Sequence, residues 1–541
     1  MKSIANWYLI PLGIVLLVLF PTGVVLSSFF HVDLAQTNEI WSFLSETILA
    51  ELILNTLVLL LGVSTLSFFI GTGLAWVVVM YDFPLKRFIE GGLILPMAMP
   101  GYVIGIVALE HWDYAGSVPI FLRSMLGENI WIPDIRSTWC VIVALSLVLY
   151  PYMYIAARTA FKYQNQTFLD VGTALGLNKF QLYWKIGLPL ARPTLFAGLA
   201  LVVMETLADM GTVSVFSFTT FTTAIYETWQ GLFQKEAATQ MAGSLMLFTF
   251  ALFYLGTLTQ RKLKHHQVSG KRRPLRISKI TGWRGGMVSI LLFSMVSLAF
   301  IYPTITIIYW QIQRGLDLVE LMDVVRFGYN SGTIAIFSTI LVLLASIYVS
   351  YARRITDSRV MQIITQISVT GFVLPGTIIA LGVLIPFVWI DGKINAIWDF
   401  YFNTKVGLFL TSSIVGLVLA HFMRFFAVGF FFTDSGFSKL SHTLDHAAMS
   451  LGKTRLIIFL RVHLPLIKNS LIVGALIVFI DVIKEVAATL ILRPFGFNTL
   501  STKIWELSTE SFFREASLCS MMIVFLMLIP VTGLIIVTGR D

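Results

Sequence analysis

Apolar residues fill most of this chain in runs of about 18 residues or more, broken by short stretches where Lys, Arg, Asp, Gly and Pro collect. A run of that length crosses a bilayer as a helix. The pattern predicts twelve spans. In the first half they cover about 7–30, 52–80, 89–110, 137–157, 192–215 and 237–259. In the second they cover about 284–310, 331–351, 363–390, 408–430, 470–492 and 516–538. Backbone groups in lipid must be satisfied within their own segment, so the predicted class is an all-α polytopic membrane protein. The pattern lacks the short alternating strands of an outer-membrane barrel.

Composition points the same way. Hydrophobic residues make up 57% of the chain and charged residues 12%, about half the charge of a soluble domain. Cys140 and Cys519 both lie in apolar runs and are expected as small buried hydrophobes, with no disulfide or cysteine metal site. The first run is too long for a signal peptide and lacks a small-residue cleavage site, so it is expected to stay as an anchor. Orientation follows from the basic residues. With the N-terminus inside, 26 of the 38 Lys and Arg fall in cytoplasmic segments, and both termini are cytoplasmic. Arg326, Arg424 and Lys484 sit in or at the edge of spans. Nine basic residues lie between Arg261 and Arg284. Topology explains them, so this linker is expected to meet anionic lipid, and no nucleic-acid role is implied.

The chain also repeats itself. Asp170 to Pro193 reads DVGTALGLNKFQLYWKIGLPLARP, and His446 to Asn469 reads HAAMSLGKTRLIIFLRVHLPLIKN. Gly176 aligns with Gly452, and Leu188-Pro189 with Leu464-Pro465, at an offset of 276 residues. Both copies fall in cytoplasmic loops. Asn55-Thr56 matches Asn330-Ser331, and Met99-Pro100-Gly101 matches Leu374-Pro375-Gly376. Two six-span halves in parallel orientation follow, related by a pseudo-two-fold axis along the membrane normal. The divisions expected are 1–260, a linker 261–283, and 284–541.

Each repeated loop is expected to hold a short helix ending at Gly176 or Gly452, where glycine tolerates a left-handed cap. Asp170 suits the start of the first such helix. Small residues (Gly172, Thr173 and Ala174; Ala447, Ala448 and Ser450) would let another protein approach closely. A second helix follows, and proline at Leu-Pro is expected to begin a new segment rather than continue the old one.

Acidic residues in spans are costly and face a cavity or a partner. Glu205 and Asp209 lie one turn apart, as do their counterparts Asp481 and Glu485. Four carboxylates near a two-fold axis would suit a hard cation. They would equally serve to cap and brace helices, with Lys484 neutralising Asp481 or Glu485. Tyr150, Tyr152 and Tyr154 are expected in an interfacial aromatic belt. His31, His111 and His421 are isolated and expected as ordinary polar residues. Pro100-Gly101 and Pro375-Gly376 fall inside spans, where they would loosen the helix or ease packing.

The two loops resemble the signature loop of importer-type ABC transporter permeases: E-A-A, three residues, Gly, nine residues, Ile, one residue, Leu-Pro. The triplet positions hold Asp170-Val171-Gly172 and His446-Ala447-Ala448, and the Ile position holds Ile186 and Val462. The triplets depart from the family pattern at all three positions in the first copy and at His446 in the second. The resemblance implies that each short helix docks on an ATPase subunit. The chain has no GxxxxGK[ST] phosphate loop of its own. ATP and Mg are therefore expected on two partner ATPases, with no cofactor on this chain and no enzymatic activity. ETLADMGTVSVF from Glu205 and DVIKEVAATLILRPFGFNTLSTKIWE from Asp481 are similar to the ferric-iron permeases of this class. That resemblance implies an inner-membrane importer fed by an extracytoplasmic iron-binding protein. Thiamine, polyamine, sulfate and phosphonate permeases share the loop and stay open as alternatives. A secondary transporter also shows two parallel halves, but needs no paired docking loops.

Overall fold

A computed structural model describes residues 2–30, 41–42, 46–261, 273 and 275–539. His31 and most of the basic linker lie outside the described residues. The first half contributes α1 (Lys2–Ser27), α2 (Leu49–Met80), α3 (Gly101–Trp112), α4 (Thr138–Lys162), α5 (Gln166–Ala174), α6 (Leu188–Ala208), α7 (Phe221–Gln230) and α8 (Lys235–Arg261). The second contributes α9, the run Gly282–Arg314. It continues with α10 (Leu318–Thr356), α11 (Gly376–Phe402), α12 (Val415–Ser438), α13 (His442–Ser450), α14 (Leu464–Lys484), α15 (Leu500–Thr509) and α16 (Ser517–Gly539). Helices α1–α8 recur in order as α9–α16, while the further helix Ser117–Leu126 of the first half has no separate counterpart among the described residues.

Among the described residues, eleven helices are long and apolar enough to cross a membrane, or twelve if one bent pair counts as a span. The bent pair corrects the third predicted span. Lys86–Ala98 and Gly101–Leu126 meet at 88° rather than forming one rod. Pro100 causes the break: its extended backbone (ψ 144°) starts α3 afresh after the turn Leu95–Ala98. The fifth and eleventh spans run over Lys179–Ala208 and Arg455–Lys484, earlier in sequence than apolarity alone suggests. They stop because Asp209 and Glu485 leave the helix with ψ of 122° and 125°.

Within each half, α4 or α12 is the central post. α2 and α6 pack on α4, and α10 and α14 pack on α12. The first helix of each half crosses to the other: α1 lies along α11, and α9 lies against α3. One apolar core runs through both halves, with Tyr150, Tyr154, Phe161, Phe425 and Phe426 among its largest enclosed side chains. The outer faces carry exposed Leu16, Leu61, Ile290, Phe337 and Phe525. In water such a surface would be a liability, whereas in lipid it is the solvent-matched face.

Candidate functional site

The repeated loops fold alike. α5 and α13 both end in a Schellman turn. In the first, Leu177 N–H bonds Gly172 O at 3.0 Å and Gly176 N–H bonds Thr173 O at 3.0 Å. In the second, Lys453 N–H bonds Ala448 O at 3.2 Å and Gly452 N–H bonds Met449 O at 2.9 Å. Gly176 and Gly452 hold φ of +80° and +71° with open space around them, so backbone conformation rather than crowding selects glycine. Asp170 is not the cap expected of it: Asn165 caps α5 by accepting from Thr167 N–H, and Asp170 lies inside the helix, accepting from Gln166 Nε2 at 2.7 Å. Nor does Leu-Pro interrupt the second helix. It continues through Leu188-Pro189 and Leu464-Pro465 because each is preceded by a π turn, Tyr183–Gly187 or Phe459–His463. The widened turn makes room for the proline ring that would clash with an ordinary helical carbonyl.

Ile186 packs against α5 at Gly172, where a Cβ would overlap its side chain. Val462 is half-buried at the matching place, and Ala174, His446 and Ala447 are exposed. Exposed apolar residues also recur in register: Leu175 (77%) with Leu451 (76%), and Phe180 (69%) with Leu456 (66%).

The two loops are fastened differently. In the second, Asp445 accepts from His463 Nε2 at 2.5 Å and from Arg354 at 2.8 Å. Arg354 also donates to the carbonyls of Phe437 and Leu440. Burial opposes the Asp445 charge, but His463 and Arg354 outweigh it and hold the carboxyl below the usual range. In the first loop, Gln164 Nε2 donates to Gly187 O at 2.8 Å, and the end of the linker supplies the rest. Gln166 N–H bonds Arg273 O, and Arg276 N–H bonds Gln166 Oε1. β1 (Tyr81–Asp82) pairs in parallel with β2 (Ser278–Lys279) beside it.

The intramembrane acids meet at the boundary of the halves. A chamber of about 60 Å³ is lined by Glu205, Asp209, Asp481 and Glu485 together with Arg424, Lys484 and Tyr102. Asp209 accepts the Thr212 and Val213 N–H groups at 3.0 and 3.1 Å and the Thr212 hydroxyl at 2.8 Å. Glu485 does the same for Ala488 and Thr489 and pairs with Arg424 at 3.1 Å. Both acids thus cap the short helix that follows, and both also line the chamber. Gly101 and Gly376 let the start of α3 and α11 approach these caps: a Cβ would meet Thr212 Oγ1 at the first and Glu485 with Arg424 at the second. The Pro-Gly pairs therefore serve close packing at a chain break.

Glu205 bridges to the second half through Lys484 at 3.7 Å and Arg424 at 3.9 Å. Asp481 holds Lys484 at 2.8 Å and accepts from Tyr152 OH at 2.5 Å, and Lys484 donates to Tyr152 OH at 2.7 Å. Tyr150, Tyr152 and Tyr154 are buried, which corrects the interfacial-belt expectation. Chain position near a span end does not settle depth: residues 148–154 of α4 are enclosed although Trp139 and Val143 on the same helix are exposed. His421 is also not isolated, since its Nε2 lies 3.6 Å from Glu485. His111 stacks on Trp310. Arg424 and Tyr102 were missed as site residues. Arg424 carried a signal, a lone guanidinium in an apolar run, while Tyr102 had none beyond following Pro-Gly.

Away from the repeated loops lies a larger cavity of about 410 Å³, with Arg136, Tyr226, Glu227, Trp505 and Phe513 in its wall. Met210 lines both cavities.

Comparison with known proteins gives this geometry a context. Residues 67–265 match the family described as binding-protein-dependent transport system inner membrane component. The Fe(3+)-transport system permease protein FbpB 2 of Haemophilus influenzae is 24% identical over 491 residues, covering 89% of each chain. The ferric transport system permease protein FbpB of Actinobacillus pleuropneumoniae is 22% identical over 512 residues, 89% of this chain and 71% of that one. The molybdate/tungstate transport system permease protein WtpB of Methanocaldococcus jannaschii is 25% identical over 245 residues, 45% of this chain and 90% of its own. The ferric permeases match both halves together, whereas the molybdate/tungstate permease has the length of one.

Proposed function

We propose that this chain is a two-half, multi-pass permease of the binding-protein-dependent inner-membrane kind and that it carries ferric iron inward in an ATP-driven importer. The observation that carries the substrate is the similarity to ferric permeases along about nine-tenths of the chain. The chamber favours a cation over the oxyanions of the molybdate and sulfate relatives, because four carboxylates face only Arg424 and Lys484 there.

Two ATPase subunits dock on α5 and α13. The paired exposed side chains Leu175/Leu451 and Phe180/Leu456 supply the apolar contact, and Gly176 and Gly452 supply the rigid turn that transmits it. The coupling residues are Asp170, Ala174, Gly176, Ile186, Leu188 and Pro189 in one loop. In the other they are His446, Ala447, Ala448, Gly452, Val462, Leu464 and Pro465. Hydrolysis of ATP with Mg falls to the partners. The loops and both termini face the cytoplasm by the distribution of Lys and Arg. An extracytoplasmic binding protein delivers iron above the larger cavity. Motion of the ATPases passes along the unbroken helices Lys179–Ala208 and Arg455–Lys484 to Asp209 and Glu485. The cap at Asp209 moves the adjoining Met210 out of the way between the larger cavity and the chamber. Radioactive ferric uptake by vesicles holding the permease, its ATPases and its binding protein tests this. Uptake that needs all three and ATP is expected. Transport of molybdate but not iron would overturn the substrate.

A further inference from the structure

Hydrogen bonding divides the four chamber carboxylates into two kinds. Asp209 and Glu485 are committed to backbone N–H groups of the helices they cap. Asp481 is held only by Tyr152 and Lys484 side chains. Glu205 stands off from its cations at 3.7 and 3.9 Å, beyond hydrogen-bond reach. A second observation is independent of the acids: Tyr102, a chamber-lining residue 3% exposed, has a buried hydroxyl without a hydrogen-bond partner. A buried phenol in that condition costs about 1–3 kcal/mol and points to something it bonds in another state.

The Lys484 ammonium marks where that something sits. Its Nζ lies 2.7 Å from Tyr152 OH, 2.8 Å from Asp481 and 3.7 Å from Glu205, so one cationic centre faces oxygens of three side chains. Among the described residues no three His, Cys, Asp or Glu side chains already form a metal cage, and the phenols complete the set.

We infer that the chamber is a transit site for a bare hard trivalent cation, ligated by Glu205, Asp481, Tyr102 and Tyr152, with the Lys484 ammonium as its place-holder. This rests on the ferric reading above. About 60 Å³ admits an ion with a few water-sized ligands. Charge fits as well. At rest four carboxylates against Arg424 and Lys484 leave two net negative charges; with Lys484 withdrawn they leave three, which one trivalent ion neutralises, and a Tyr152 that binds as tyrosinate hands its proton to Asp481, which already accepts its hydrogen bond, so that total is unchanged. Carboxylate and phenolic oxygens are the hard donors such an ion selects.

The test compares the full permease in nanodiscs, wild type against Lys484→Met and Lys484→Gln, incubated with Ga(III) or Fe(III) citrate and desalted. Removing the place-holder should raise retained Ga(III) at least tenfold, to about one ion per chain. Adding Glu205→Gln or Tyr102→Phe should abolish the gain. With Fe(III), Lys484→Met should show a visible tyrosinate charge-transfer band that Tyr152→Phe weakens. Folded Lys484 variants that retain no more metal than wild type would overturn the site. Should wild-type vesicles take up iron while these variants retain none, the site falls and the transport reading stands. Should the variants bind Ga(III) while wild-type vesicles carry no iron, the transport reading falls instead.

Discussion

Replacing Gly452 by valine in the turn after α13 separates a coupling fault from a folding fault. Gly452 holds φ of +71° and a Cβ there would meet nothing within 4 Å, so the whole penalty is backbone strain. An L-residue in that region costs about 1–2 kcal/mol, more when β-branched and less for asparagine. That corresponds to about a 5–30-fold loss in the population of the correctly turned loop. The turn is exposed and no residue of α13 is buried, so the membrane core should not notice. The assay is iron taken up per ATP hydrolysed in proteoliposomes, with denaturant unfolding measured alongside. Uptake per ATP should fall in the order Gly, Asn, Ala, Val, with the core unfolding transition unchanged, and the matching series at Gly176 (φ +80°) should follow it. Wild-type uptake per ATP in Gly452→Val would refute the role given to the turn.

Other perturbations probe the remaining elements. Asp445→Asn should raise hydrogen exchange across 441–453 while leaving 165–177 unchanged, since charged hydrogen bonds of this kind contribute about 1.5–3 kcal/mol. Because the folded Asp445 carboxyl is lowered, its contribution is fully present above the unfolded value of about 3.9. It should be lost only as pH falls through the still lower folded value, so a loss of protection across 441–453 between pH 8 and pH 5, after correction for the intrinsic pH dependence of exchange, would count against the clamp. Gly376→Ala should lower stability by about 1–3 kcal/mol because its Cβ meets Glu485 and Arg424. Gly392→Ala on the same helix, with nothing within 4 Å, should stay within about 0.5 kcal/mol. Asp209→Ala should cost about 1–2 kcal/mol through the lost cap, whereas Asp209→Asn, which still accepts hydrogen bonds, should keep uptake near normal. Uptake abolished by Asn alone would return Asp209 to the ion's path.

Much of this architecture was legible because lipid leaves the backbone few choices. Runs of apolar residues had to be helices, and a constant register between Gly176 and Gly452 had to mean a repeat. Hydropathy failed where a polar side chain, rather than apolarity, decides the chain's course. Asp209 and Glu485 end their helices early because their carboxylates are worth more as caps on the next turn. Pro100 bends a run that hydropathy reads as one rod. The π turns before Pro189 and Pro465 left no compositional trace, so a continuous helix was read as two. At the site the acids were found by their cost in lipid, but their division into caps and free ligands depends on backbone N–H positions. Tyr152 was placed at an interface because depth cannot be read from order along α4, and its bond to Asp481 crosses 329 residues.

Energy coupling is the claim on which the rest stands, and reconstituted vesicles measure it most directly. Permease with ATPases and binding protein should accumulate radioactive ferric ion only when ATP is supplied to the side bearing α5 and α13, with no uptake from a proton or sodium gradient alone. Gradient-driven accumulation by the permease without any ATPase would contradict it and make the two matched loops irrelevant to transport.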